Sequence, residues 1–363
     1  MNKTITAAIM GIVVIGGAAA FFINRSVIHK NDSSLTITDS VVDEKPKSRQ
    51  FVDKAAYDAK MEALANNPEP VPVPASSTST TTTEPVIEKT GWPVEGLPYP
   101  YEGALLPYHR IIAFYGNFYS KKMGILGQYP ADVVLEKLAQ NVKDWNAADP
   151  SIPAMPAIHY IASTAQKDPG ADKKYTFRMP KEQIQKALDL ADKAKAITFL
   201  DIQIGHSTVQ EEIPRLEEYL KQPTVHLGID PEFAMKNGKV PGTVVGSLDA
   251  SEINWAMEYL AKLVRENNLP PKILVIHRFT QDGVMNYDQI KPLPEVQIVI
   301  HMDGWGSPDH KKTTYKHVIY PEPVQFAGLK IFYGNDMLKP STRLITPAEI
   351  LKLQPIPIYI QYQ

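Results

Sequence analysis

Two carboxylates, Asp230 and Glu232, stand two residues apart just after a short apolar run at 225–229. Side chains alternate between the faces of a strand, so His226, Gly228, Asp230 and Glu232 share one side. Leu227 and Ile229 share the other. At about 3.3 Å of rise per residue, the Cα atoms of the two acidic residues lie about 6.5 Å apart. That spacing suits a proton donor and an assisting carboxylate acting on one substrate. Their mutual repulsion also raises pKa, which keeps a proton available nearer neutral pH.

The elements that must position this pair begin at Gly96. Strand-like runs occur at 111–115, 155–161, 197–204, 225–229, 273–277, 296–301, 329–333 and 356–362. Between them lie stretches with apolar residues at helical spacing. Val134, Leu138, Val142 and Trp145 form one face, and Ile184, Ala187, Leu188 and Ala191 another. Val209, Ile213, Leu216 and Leu220 form a third, and Ile253, Met257, Leu260 and Val264 a fourth. Ser207 with Gln210 predicts a capping box for the third helix, Ser251 a cap for the fourth, and Pro214 a kink. Eight β and α units in 96–363 predict a (β/α)8 TIM-type barrel, whose usual size is about 250 residues. Strand composition favours it. At 199–204, Leu200, Ile202 and Ile204 face outward while Asp201 and Gln203 face the lumen. At 296–303, Ile298 and Ile300 face outward, and Gln297, Val299, His301 and Asp303 inward. An open doubly wound sheet is the alternative, but its strands, covered on both faces, should carry fewer inward polar residues. The usual last helix is missing after 356–362, and part of 96–110 is expected to cover the gap.

In such a barrel the chemistry sits at the C-terminal ends of the strands. Those ends supply Tyr115 with Asn117, His159, Asp201 and Gln203, Asp230 and Glu232, and His277 with Arg278. They continue with His301, Asp303 and Trp305, Tyr333 with Asn335, and Gln361. Glu232 and Asp230 are the catalytic candidates. Asp201, Gln203, Tyr115, His159, His277, His301, Asp303, Trp305, Tyr333 and Gln361 are the substrate-binding candidates. Trp305, between Gly304 and Gly306, is placed either to stack on a sugar ring or to anchor its loop. The glycine-rich loop 236–246 lacks the spacing of a phosphate loop and reads as a flap beside the carboxylates. Phe-Tyr-Gly-Asn occurs at 114–117 and again at 332–335, as though the two strand ends were related.

Asp230-Pro231-Glu232 resembles the D-x-E pair of chitinase-like glycoside hydrolases and, equally, that of Chalaropsis-type lysozymes, barrels that cut peptidoglycan. The resemblance implies Glu232 as the acid and Asp230 as its partner. The sequence departs from both patterns: Gly228 stands where chitinases carry a further Asp, and the first strand has Tyr115 and Asn117 where the lysozymes have an Asp. The barrel as a whole also resembles secreted bacterial proteins. A cation could be held by His206, His277, His301 and Asp303 with Asp201. Yet no H-x-x-x-H or H-E-x-x-H occurs, and 111–117 lacks the H-x-H that marks amidohydrolase-type barrels. Neither metal nor cofactor is expected.

Composition narrows the setting. The chain has 363 residues, a formal charge of -2 and no cysteine. Nucleic acid is therefore not expected as a partner, since no basic excess is present to neutralise phosphates. Thiolate chemistry, disulfides and a lipid-attachment cysteine are excluded. The apolar run at 5–23 is long enough to span about 30 Å of hydrocarbon, so 1–30 predicts a transmembrane anchor; a signal segment cleaved near Ala18-Ala19-Ala20 is the alternative. Residues 31–95 predict a disordered stalk, with a short helix at 53–65, a Pro-rich spacer at 68–74 and a Ser/Thr tract at 75–83. Together these features predict a membrane-tethered extracytoplasmic enzyme, a glycoside hydrolase acting on cell-wall or surface polysaccharide, peptidoglycan included. A non-catalytic barrel binding glycan or protein, and a metal-dependent hydrolase, are the alternatives.

Overall fold

The structure, a computed structural model, describes residues 49–68 and 91–363. The expected anchor and the Pro- and Ser/Thr-rich parts of the stalk lie outside the described residues, among which no helix is long and apolar enough to cross a membrane. Eight parallel strands form the core: β1 (Arg110–Gly116), β2 (Ala154–Ala165), β3 (Ile197–Gly205), β4 (Val225–Ala234), β5 (Lys272–Arg278), β6 (Val296–Met302), β7 (Phe326–Ile331) and β8 (Tyr359–Tyr362). Each pairs with the next in sequence, and β1 pairs with both β2 and β8, so the sheet closes into a barrel. The open-sheet alternative is thereby excluded.

Alternation along the strands sorts the side chains into two apolar layers. Ile112, Phe114, Ile158, Leu200, Ile202, Ile298 and Ile300 pack outward against the helices. Ile111, Ala113, Phe199, Ile273, Val275 and Val299 fill the lower lumen. The outer layer is completed by α2 (Ala131–Ala148), α3 (Lys181–Ala194), α4 (Ala250–Glu266) and α5 (Pro308–Val318). Between β3 and β4 the helix is broken into Val209–Glu212, a 3-10 turn at Ile213–Leu216, and Glu217–Leu220, as Pro214 predicts. No α-helix joins β5 to β6; two 3-10 turns take its place.

Both expected caps differ. Thr208, not Ser207, accepts the Glu211 backbone N–H, and the Ser207 hydroxyl bonds the carboxylates of Glu211 and Glu212 instead. Helix α4 is capped by Asp249 in a capping box with Glu252, which starts it ahead of Ser251.

The expected start of the domain at Gly96 is too late. Residues 49–68 belong to the same compact unit as 91–363. Helix α1 (Lys54–Ala65), with Asp53 at its N-cap, buries Tyr57, Met61 and Leu64 in the same cluster as the lower lumen. The Leu64 carbonyl accepts the Ile356 N–H at 2.7 Å, and Arg49 donates to the Val264 and Leu269 carbonyls. Segment 96–110 closes the barrel floor: the Gln297 amide in the lumen accepts from Leu106 N–H at 3.0 Å and donates to its carbonyl at 2.5 Å.

Candidate active site

At the opposite, C-terminal end of the strands lies a cleft of about 830 Å³. Six of the expected residues line it: Tyr115, Gln203, Asp230, Glu232, Asp303 and Trp305. Strand β4 reaches the mouth through an irregularity. Between the pairs Gln203–Asp230 and Gly205–Ala234, β3 advances two residues and β4 four. The extra residues bulge around Glu232, and a bulge of this kind re-aims side chains at a barrel rim. Asp230 is buried and accepts from the Gln203 amide at 3.3 Å and from the Glu232 backbone N–H at 3.2 Å. Glu232 is half-buried and reaches the cleft.

Five further candidates lie below the cleft as a buried polar layer. The Tyr115 hydroxyl donates to Asp201 Oδ2 at 2.9 Å, and Asp201 Oδ1 lies 3.3 Å from His159 Nε2 and 3.5 Å from His277 Nε2. His277 Nδ1 meets Asp303 Oδ2 at 3.1 Å, which links this layer to the cleft wall. His159 Nδ1 lies 2.5 Å from the Tyr359 hydroxyl and 3.2 Å from Gln361 Nε2. His301 packs edge-on against His277 and Tyr359. A Cβ at Gly228 would collide with Asp201 Oδ1 and His159 Nε2, so the residue where chitinases carry an Asp is here required to be glycine.

The remaining expectations are corrected. Tyr333 does not enter the site: it lies outside the barrel wall, accepts from Asn141 at 2.8 Å and stacks on Tyr362. Strand parity is the reason. Leu329 and Ile331 pack outward, so Lys330 and Phe332 turn inward and Tyr333 outward. The two Phe-Tyr-Gly-Asn copies are therefore out of phase, with Tyr115 inward in one and Phe332 in the other. His206 does not join the other histidines; its Nε2 lies 2.7 Å from the Lys239 carbonyl, where it ties down the loop at 236–246. That loop returns to the carboxylates through the Gly246 N–H, which donates to the Glu232 carbonyl at 2.7 Å. Asn117 and Arg278 hold loops: Asn117 donates to the Ile161 carbonyl, and Arg278 to the Thr280 and Gln281 carbonyls.

Lys330, Phe332, Phe279 and Phe233 were not among the sequence candidates, and all four line the cleft. Lys330 Nζ lies 3.9 Å above the Tyr115 ring. Beside it, Lys311 Nζ donates to the Gly304 and Lys330 carbonyls and pairs with Asp336 at 3.1 Å. Asp336 in turn accepts from the Gly306 and Phe332 N–H groups. This buried pair fastens the Gly304–Gly306 loop to the end of β7, leaving Trp305 54% exposed at the cleft rim. Gly306 has a φ of 151° and no room for a Cβ beside His310.

The charges follow from burial. Loss of hydration, with Asp303, Asp201 and Glu232 nearby and despite His277, pushes the Asp230 carboxyl up to about 8. Glu232 is raised too, by burial first and then by Asp303. The repulsion expected within the pair falls on Asp230, which Glu232 helps to raise, while Asp303 is the carboxylate that raises Glu232. Burial disfavours the Asp201 anion as well, but His277 and His159 hold its carboxyl well below the usual range. Burial also opposes charge on His277, yet Asp201 and Asp303 carry it up to about 10. His159 is lowered to about 4 and His301 well below its ordinary value, both by burial first. Burial likewise lowers Lys330.

No protein-family model matches the chain, and no curated protein matches it. The D-x-E resemblance thus stands on its own residues and the barrel that carries them.

Proposed function

We propose that the chain is a glycoside hydrolase with Glu232 as the general acid and Asp230 as the assisting carboxyl. The observation that carries this reading is the cleft itself. Two carboxyl groups with raised pKa, Asp230 and Glu232, face an open cavity of about 830 Å³ whose wall also holds Trp305, Phe332 and Phe279. A volume in this range admits a short run of sugar rings. Aromatic faces stack on the apolar faces of such rings, and carboxyl groups supply the proton that a departing sugar oxygen needs.

The roles divide by exposure. Glu232 is half-buried and accessible, with a pKa raised toward the working range of a proton donor. Asp230 is more deeply set and stays protonated to higher pH, so it donates a hydrogen bond to substrate rather than giving up its proton. Asp303 is a third carboxylate in the same wall, tied through His277 to Asp201. Lys330 places its amine within the cleft.

The apolar run at 5–23 and the Pro/Ser/Thr-rich stretch that follows support a membrane-tethered enzyme acting outside the cell on wall or surface polysaccharide. The test is release of new reducing ends from peptidoglycan and other surface polysaccharides. Wild type should release them, and Glu232→Gln should lose about 10²–10⁴-fold in turnover while still binding the same glycan. A wild-type chain that binds glycan and cleaves none would replace the enzyme with a binding barrel.

A further inference from the structure

The buried layer beneath the cleft holds an arrangement that the hydrolase reading does not use. His159 Nε2, Asp201 Oδ1 and His277 Nε2 face one another, all within 4.8 Å, on three side chains that are essentially inaccessible to solvent. Apart from their facing one another at ion-pair distance, none of these three atoms makes a hydrogen bond. Three buried polar atoms converging on one point without a well-formed hydrogen bond are an unusual concentration.

The distances are those of a shared ligand sphere. Asp201 Oδ1 lies 3.3 Å from one imidazole nitrogen and 3.5 Å from the other. Ligand atoms about 2.1 Å from a tetrahedral zinc are about 3.4 Å from one another. The outer contacts also have the form found around metal-bound imidazoles, whose second nitrogen is held by a carboxylate or another acceptor. His277 Nδ1 is held by Asp303 at 3.1 Å, and the second oxygen of Asp201 is held by the Tyr115 hydroxyl. His159 Nδ1 sits against Tyr359 and Gln361. Gln361 Oε1 has no partner. Turning that amide end for end lets Oε1 accept from His159 Nδ1–H, which leaves the Nε2 lone pair free for a metal.

We propose that His159, Asp201 and His277 form a divalent-cation site in the barrel lumen, with zinc the ion best suited to two imidazoles and one carboxylate. The site lies one inward-facing position below Gln203 on β3, so a bound ion places positive charge under the carboxyl groups of the cleft. Gly228 lets β4 pass directly against this cluster, since a Cβ there would strike Asp201 Oδ1 and His159 Nε2.

Untagged full chain, stripped with chelator and returned to neutral buffer, is titrated with ZnCl2 by calorimetry, and its zinc coordination is read by X-ray absorption. One zinc per chain with two imidazole nitrogens in its first shell is expected. His159→Gln and His277→Gln should abolish stoichiometric binding, and Asp303→Asn should weaken it by about 10–100-fold. Glu232→Gln should bind zinc as wild type does, so a failed hydrolase reading and a failed metal site are told apart. Folded wild type that takes up no zinc, a first shell without imidazole, or unchanged binding in both histidine variants would overturn the site. Because the absorption spectrum is taken on wild type, variants that fail to fold do not remove the test.

Discussion

At the scale of single residues, Asp230 is the most informative side chain in the cleft. Its carboxyl is raised from an ordinary value of 3.8 to about 8, first by burial and then by Asp303, Asp201 and Glu232, with His277 opposing. A group whose pKa is raised by folding binds its proton more tightly in the native state. The stability it contributes is complete below pH 4 and is lost as pH rises through about 8. Asp230→Asn has no proton to lose and can still accept from Gln203. In metal-free buffer, denaturant unfolding should show this variant gaining on wild type as pH rises from 5 to 9, by more than about 1.4 kcal/mol, the equivalent of one pKa unit. Parallel stability curves for the two proteins across that range would show that Asp230 is ionised throughout. Lys330 makes the complementary point. A lysine on a barrel strand looks like a surface residue in sequence, yet its inward parity and its position over Tyr115 put it inside the cleft.

At the scale of elements, the barrel strands were legible because apolar residues alternate with polar ones in step with the pleat. Asp201, Gln203, Gln297 and His301 all face the lumen as their positions dictate. What was not legible follows from features without a periodic signature. Nearness to a strand end points to Tyr333, whereas counting from Leu329 sends it outward and Lys330 and Phe332 inward. The bulge in β4 around Glu232 depends on pairing with β3, which no local pattern reveals. Helix α1 reads as part of a stalk in sequence because few of its apolar side chains are large: Tyr57, Met61 and Leu64, with Ala65, seat it on the floor. Burying each such side chain is worth about 1.5–3 kcal/mol. A chain beginning at Gly96 should therefore unfold at clearly lower denaturant concentration than one beginning at Ser48. Equal midpoints would mean that α1 rests on the barrel without stabilising it.

At the scale of the whole molecule, the two ends of the barrel have different work. Segment 96–110, α1 and the Gln297–Leu106 bonds close one end with apolar packing and backbone pairing. The other end keeps its polar groups exposed to a cleft and backs them with a layer of histidines and Asp201. The proposed chemical step is delivery of a proton by Glu232 to a departing sugar oxygen. Its most direct test compares two substrates that differ only in the leaving group: a natural glycan, and the same glycan joined to dinitrophenolate, which departs without protonation. For Glu232→Gln, turnover of the natural glycan should fall by about 10²–10⁴-fold and turnover of the dinitrophenyl substrate by less than about tenfold. Equal losses on both substrates, or no loss on either, would contradict it.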